Sequence, residues 1–181
     1  LRAMILLGLA MAGMGLIMVL ISPMAAAASF PYVAASALLH AGYNIFLVRA
    51  YRAGDLGQVY PLARGTAPLI STAGVFLITG EKLSIGALGG VALVIFGIGL
   101  MALFGGRKRA RLEPQAIGFA LTTSLFIGAY TITDGLGVRA SLSAPSYTGL
   151  VFIFDSVVMT IIGLSWRGRA LFAVIAVLAA A

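Results

Sequence analysis

His40, Tyr43 and Asn44 stand at i, i+3 and i+4 in an otherwise apolar stretch. On a helix that spacing puts all three side chains on one face. Polar groups are costly at membrane depth, so such a face lines a cavity, binds a substrate, or pins helices together by hydrogen bonds. His40 adds the option of carrying a proton. Arg64 stands one turn before Pro68. A proline opens the backbone ladder locally, which suits a helix that bends around a cavity. Arg64 can then meet an anionic substrate group, pair with Asp55, or snorkel to lipid headgroups. Asp155 lies between Phe154 and Ser156 in the middle of an apolar run. A charge is expensive there, which makes Asp155 a candidate proton-coupling acid; the alternative is a structural acid bonded to a neighbouring helix. Asp134, nearer the end of its run and one turn after Tyr130, is the second coupling candidate. Tyr60 and Tyr130 join His40, Tyr43, Asn44, Arg64 and Asp155 as the candidate substrate-binding side chains.

The elements that must carry these residues follow from composition. Of 181 residues, 61% are hydrophobic and 9% charged, and mean hydropathy is +1.10. A soluble domain carries roughly 25% charged residues. The chain therefore reads as an all-α, polytopic helical membrane protein, multi-pass in the cytoplasmic (inner) membrane. With no cysteine there is no disulfide framework or thiolate metal site. One His and five acids make a multi-ligand metal centre a poor expectation, and no cofactor is expected. The net charge of +7 sits between apolar spans, so its partner is the lipid bilayer, not nucleic acid.

Hydropathy predicts spans over Met4–Ile21, Pro31–Tyr51, Leu62–Thr79, Ile85–Phe104, Gln115–Val138 and Tyr147–Trp166. A rival for the first is a secretory signal peptide ending near Met24–Ser29. The final apolar run, Ala170–Ala181, is too short to cross about 30 Å at about 1.5 Å per residue, so the chain reads as part of a longer protein. Residues 105–114 form a basic linker between helix breakers. Glu81, in a turn beside Lys82, reads as a helix cap. Gly86, Gly90 and Gly97 form a stripe expected to serve ordinary bundle packing, with a dimer face as the minor alternative. Arg2, Arg49, Arg52, Arg107, Lys108, Arg109, Arg111, Arg167 and Arg169 fall on one side of the membrane, with Arg64 near the same face; Lys82 and Arg139 fall on the other. The positive-inside rule puts the linker in the cytoplasm.

Leu1–Pro23 and Pro145–Arg167 look like equivalent spans with four spans between. A five-span unit inserts alternately up and down, which is the inverted-repeat plan of secondary transporters. Ala50-Tyr51-Arg52-Ala53-Gly54-Asp55-Leu56-Gly57-Gln58-Val59-Tyr60-Pro61, then Arg64-Gly65-Thr66-Ala67-Pro68, then Gly80-Glu81-Lys82-Leu83-Ser84 and Gly89, Gly90 and Gly97, resembles the EamA-like part of the drug/metabolite transporter superfamily. The likeness is strongest over residues 31–104. It implies ten helices in two inverted five-helix repeats. Residues 1–104 would hold the last four helices of the first repeat and 115–181 the start of the second. Members with cytoplasmic termini would put the linker outside, against the charge count.

No nucleophile elbow, zinc-binding His pair or P-loop is present, so the chain is not expected to be an enzyme. The expected function is alternating-access transport of a small metabolite or drug. Export is implied by the resemblance, and a coupling proton or ion is the energy source. The alternative is a non-transporting helical scaffold or subunit, with an intramembrane enzyme a distant third.

Overall fold

The computed structural model describes residues 2–80, 84–104 and 113–165. Every regular element in them is a helix: α1 (Arg2–Ile21), a 3-10 turn (Ala27–Ser29), α2 (Phe30–Ala53), α3 (Leu56–Gly65), α4 (Ala67–Thr79), α5 (Ile85–Phe104), α6 (Pro114–Ser141) and α7 (Ala144–Ser165). Four stretches are long and apolar enough to cross a membrane: Ala27–Ala53, Leu56–Ile78, Pro114–Ser141 and Ala144–Ile161. Shorter apolar stretches run over Gly8–Ile21 and Ile85–Met101. The Glu81 cap, the basic linker's arginines and the expected seventh span lie outside the described residues.

Burial is inverted relative to a water-soluble protein. Many of the deepest positions are small: Ala50, Ala63, Ala120, Ser36 and Ser124 are all 0% exposed, as are Val33 and Val59, with Tyr147 at 1%. Large apolar side chains point outward, with Leu20 at 74%, Leu77 at 80% and Leu93 at 73%. In lipid there is no hydrophobic drive to bury leucine, and helices associate by close approach across small residues. The pattern is therefore that of a membrane protein, in line with the length of the helices.

Contacts divide the chain into two units, one drawn from Leu1–Ala41 and Thr133–Ala181, the other Gly42–Ile132. The first holds α1, α7, the opening of α2 and the end of α6. Its core is Val33, Tyr147 and Val151, flanked by Tyr32, Val138 and Leu150. The second holds the rest of α2, then α3, α4, α5 and most of α6. Its core is Leu47, Ala50, Val59, Ala63, Ala116 and Ala120.

The expected span Leu62–Thr79 falls almost wholly within one candidate crossing, Leu56–Ile78, built of α3 and α4, which meet at Thr66 with its backbone still helical (φ −79°, ψ −18°). Asp55 starts α3 early, its carboxylate accepting the Gly57 N–H at 2.7 Å as an N-cap. Pro68, in the first turn of α4, has no N–H to return to the Arg64 carbonyl four residues back. Hydroxyls bond the carbonyls just before it: Thr66 donates to Leu62 (2.7 Å), and Ser124 Oγ of α6, hydrogen-bonded to Thr66, lies 2.7 Å from the Ala63 carbonyl. At the start of α5, Ser84 Oγ accepts the Ala87 N–H at 3.2 Å, the job of a helix N-cap.

The glycine stripe is a correction. A Cβ at Gly90 or Gly97 would meet nothing within 4 Å, and at Gly86 only Ser84 Oγ at 3.9 Å. Among the described residues this stripe is not a packing seam. Spacing offers a face; it does not supply the neighbour.

Candidate functional site

In the first unit α1 and α7 approach each other closely. A Cβ added to Gly15 would lie 2.5 Å from the Gly149 carbonyl oxygen, and one added to Gly149 would lie 2.5 Å from that of Gly15. The Gly15 position faces Phe152 and Ile153, at i+3 and i+4 from Gly149. The Gly149 position faces Met18 and Val19, at i+3 and i+4 from Gly15. The contact is thus reciprocal: exchanging the two helices leaves it unchanged. Further along, the Ala25 N–H, just past α1, donates to Ser146 Oγ in the first turn of α7 at 3.1 Å. Moving forward along α1 is moving backward along α7, so the helices are antiparallel. A local two-fold axis that relates two antiparallel helices lies perpendicular to both.

Aligned on the two glycines, the sequences agree. Gly15-Leu16-Ile17-Met18-Val19-Leu20-Ile21-Ser22 faces Gly149-Leu150-Val151-Phe152-Ile153-Phe154-Asp155-Ser156. Polarity departs once: Asp155 stands where the first copy has Ile21.

Asp155 continues the stripe of Tyr147 and Val151 on α7, at four-residue steps, and so points the way of the Val33 core. Ser36 and His40 continue the Val33 stripe on α2. Asp155 and His40 lie within electrostatic range of each other. One Asp155 oxygen, Oδ1, is shielded from solvent and has no hydrogen-bond partner, and the same holds for the adjacent Ser156 Oγ. The His40 ring is oriented from its own helix. Its Nδ1 lies 3.0 Å from the Ser36 carbonyl and 3.3 Å from Ser36 Oγ. A carbonyl only accepts, so Nδ1 is the donor to the Ser36 carbonyl.

Asp134 is held differently. Tyr147 Oη donates to its Oδ1 at 3.0 Å across the α6–α7 turn. The Tyr147 ring lies flush on Gly137, where any Cβ would collide with it. The turn itself is tied down. Ser141 Oγ donates to the Val138 carbonyl (2.7 Å) and accepts the Ser143 N–H (3.2 Å), while the Ala26 N–H donates to the Ser141 carbonyl (2.9 Å).

The second unit gathers another group. The Arg64 guanidinium lies over the Tyr43 ring at 5.8 Å and the Tyr60 ring at 5.9 Å. Tyr43 packs at a tilt on Tyr130, centroids 5.7 Å apart. Tyr51 is within electrostatic range of Arg64, Tyr60 and Tyr43. Arg64 does not pair with Asp55, whose carboxylate is engaged as the α3 cap. Asn44 is half-buried on α2 and has a partner of its own.

The candidate side chains therefore fall into three groups: His40 with Asp155, Asp134 with Tyr147, and Arg64 with Tyr43, Tyr60 and Tyr130. Ser36, Tyr147 and the Gly15–Gly149 crossing were missed from sequence. The four-residue stripe Tyr147, Val151, Asp155 and the seven-residue step Val33 to His40 carried the signal for the first two. For the crossing, the signal was the repeated Gly-Leu start. Among the described residues no three His, Asp or Glu side chains gather to hold a metal. Compared with protein-family models, curated proteins and solved structures, the chain matches none.

Proposed function

We propose that the protein is a secondary transporter that moves a small metabolite or drug across the cytoplasmic membrane by alternating access. Its fold in this reading is a pair of inverted five-helix repeats, ten helices in all, of the EamA-like kind, and its direction is export. One observation carries the reading: the reciprocal, antiparallel crossing of α1 and α7 at Gly15 and Gly149. An in-plane two-fold between like helices is the signature of inverted-repeat transporters, which place their sites near that axis.

Asp155 is the coupling acid in this scheme. A structural acid in a membrane is retained with its oxygens bonded. Oδ1 of Asp155 has no such donor. His40, its Nδ1 held on the Ser36 carbonyl, lies within electrostatic range of Asp155. Passing the Asp155 proton to a neutral His40 makes a carboxylate–imidazolium pair of unchanged net charge. Binding one further proton makes the pair cationic. That single added charge is what a proton gradient would act on.

Expression in a drug-sensitised bacterial host tests the reading. Tolerance should rise for at least one compound in a panel of drugs and metabolite analogues. Asp155→Asn should lose it, by about tenfold or more, while inserting to the wild-type level. A well-inserted wild type that raises no tolerance, or an Asp155→Asn variant that keeps it, would favour a helical scaffold instead.

A further inference from the structure

We propose that α4 and α6 form a parallel pair locked in one register, so that neither helix slides along the other when the protein changes conformation. The proposal rests on the transporter reading only for the use to which that rigidity is put. Its physical basis lies wholly within the second unit.

Three contacts define the lock. At its start the hydroxyls of Thr66 and Ser124 are hydrogen-bonded. Next, a Cβ added to Gly128 would lie 2.6 Å from Ile70 Cγ2 and 3.3 Å from the Ser71 backbone nitrogen. Ile70 and the α4 backbone therefore fill the space over that glycine. Last, a Cβ added to Gly74 would collide with the tip of Ile132. The step from Thr66 to Ser124 is 58 residues, and the steps from Ile70 to Gly128 and from Gly74 to Ile132 are the same. A constant step means that the two helices run in the same direction. The contacts recur at every fourth residue, so each helix offers one stripe to the other.

The knobs and notches alternate. At one level α4 supplies the isoleucine and α6 the glycine; at the next the roles are exchanged. Small residues let membrane helices close in, and here they do so in one register only. A one-turn ratchet is a known way for packed helices to change state. In one direction it would bring Ile70 onto Ile132, two large side chains where the present register holds one. In the other it would set Gly74 against Gly128 across a gap and bring Ile70 onto Ser124. Either slip breaks the bond between Thr66 and Ser124. Both neighbouring registers are worse than the present one, so this face is not a sliding surface. Alternating access by rigid-body rocking requires such fixed pairs inside a moving body.

The chain has no cysteine, so introduced pairs report without background. The full chain is oxidised mildly in bacterial membranes, with and without a proton gradient. Thr66→Cys with Ser124→Cys should form a disulfide. Ile70→Cys with Ile132→Cys, and Ile70→Cys with Ser124→Cys, mark the two slipped registers and should cross-link at least about tenfold more slowly. A slipped pair that cross-links as fast as the first, under either condition, overturns the lock. Melting temperature gives a second measurement free of cysteine. Gly74→Ala should lower it by about 2 °C or more in the wild-type chain, and should raise it in an Ile132→Ala chain, where the new methyl enters vacated space. A shift of the same sign in both backgrounds overturns the pairing. The two readings fail separately. In-register cross-linking without drug tolerance sinks the transporter and leaves the lock. Drug tolerance with cross-linking in a slipped register does the reverse.

Discussion

The eight residues from Gly15 to Ser22 and the eight from Gly149 to Ser156 share three identities and, at all but one position, the same polarity. Each opens on a glycine that lets the other helix's carbonyl approach, each follows with Leu, and each ends on Ser. At the seventh position they part. Ile21 is 77% exposed, an ordinary lipid-facing side chain. Asp155 is partly buried, with one oxygen cut off from solvent and without a donor. The backbone geometry of the pair is symmetric, so packing does not explain the acid. The surroundings differ: α7 turns this stripe toward the opening of α2, while Ile21 has no such neighbour among the described residues. Among these eight aligned positions the two copies differ in polarity only at Asp155.

Making α7 resemble α1 tests this most severely. Asp155→Leu restores the apolar character of the first copy. Drug tolerance should fall to the level of the empty vector. The melting temperature in detergent should hold or rise, because an unsatisfied carboxylate has been removed. A marked drop in melting temperature would mean the acid is structural.

The symmetry itself predicts matched costs. Gly15→Ala and Gly149→Ala each push a methyl to 2.5 Å from a carbonyl oxygen, and each should lose about 1–3 kcal/mol. The two losses should agree within about 0.5 kcal/mol. Gly90→Ala, in open space, should change stability by less than about 0.5 kcal/mol. Unequal losses at Gly15 and Gly149, read by denaturation in mixed micelles, would undo the two-fold.

The smallest effect belongs to the other acid. Tyr147→Phe removes the donor to Asp134 and should cost about 1 kcal/mol. Tolerance per inserted molecule should be unchanged. If it falls as far as with Asp155→Asn, Asp134 shares the coupling role.

Much of the helical plan was legible. Ile85–Phe104 is found with the predicted bounds, since nothing interrupts its apolar run. Thr66 was not legible as a junction. Pro61 and Pro68 both lie in that stretch, and the junction also bonds the Ser124 hydroxyl of α6, more than 50 residues away. The Asp134–Tyr147 bond was hidden for a like reason, because it closes across a turn in which Leu142 adopts φ 59°. Of the site, residue types near charge and aromatic groups were readable. Which of them meet was not, because His40 and Tyr43 share a helix face by spacing yet take their partners from different elements.

The junction at Thr66 has one more property. Ser124 Oγ has the carbonyls of Leu62, Ala63 and Ala120 at 3.2, 2.7 and 3.1 Å, but a hydroxyl carries one proton. It can satisfy only one of them at a time. Leu62 and Ala63 are on α3, so those two settings tie α6 to α3; Ala120 is on α6 itself, so the third returns the proton to Ser124's own helix. The proton that joins the two helices is thus one that α6 can also keep.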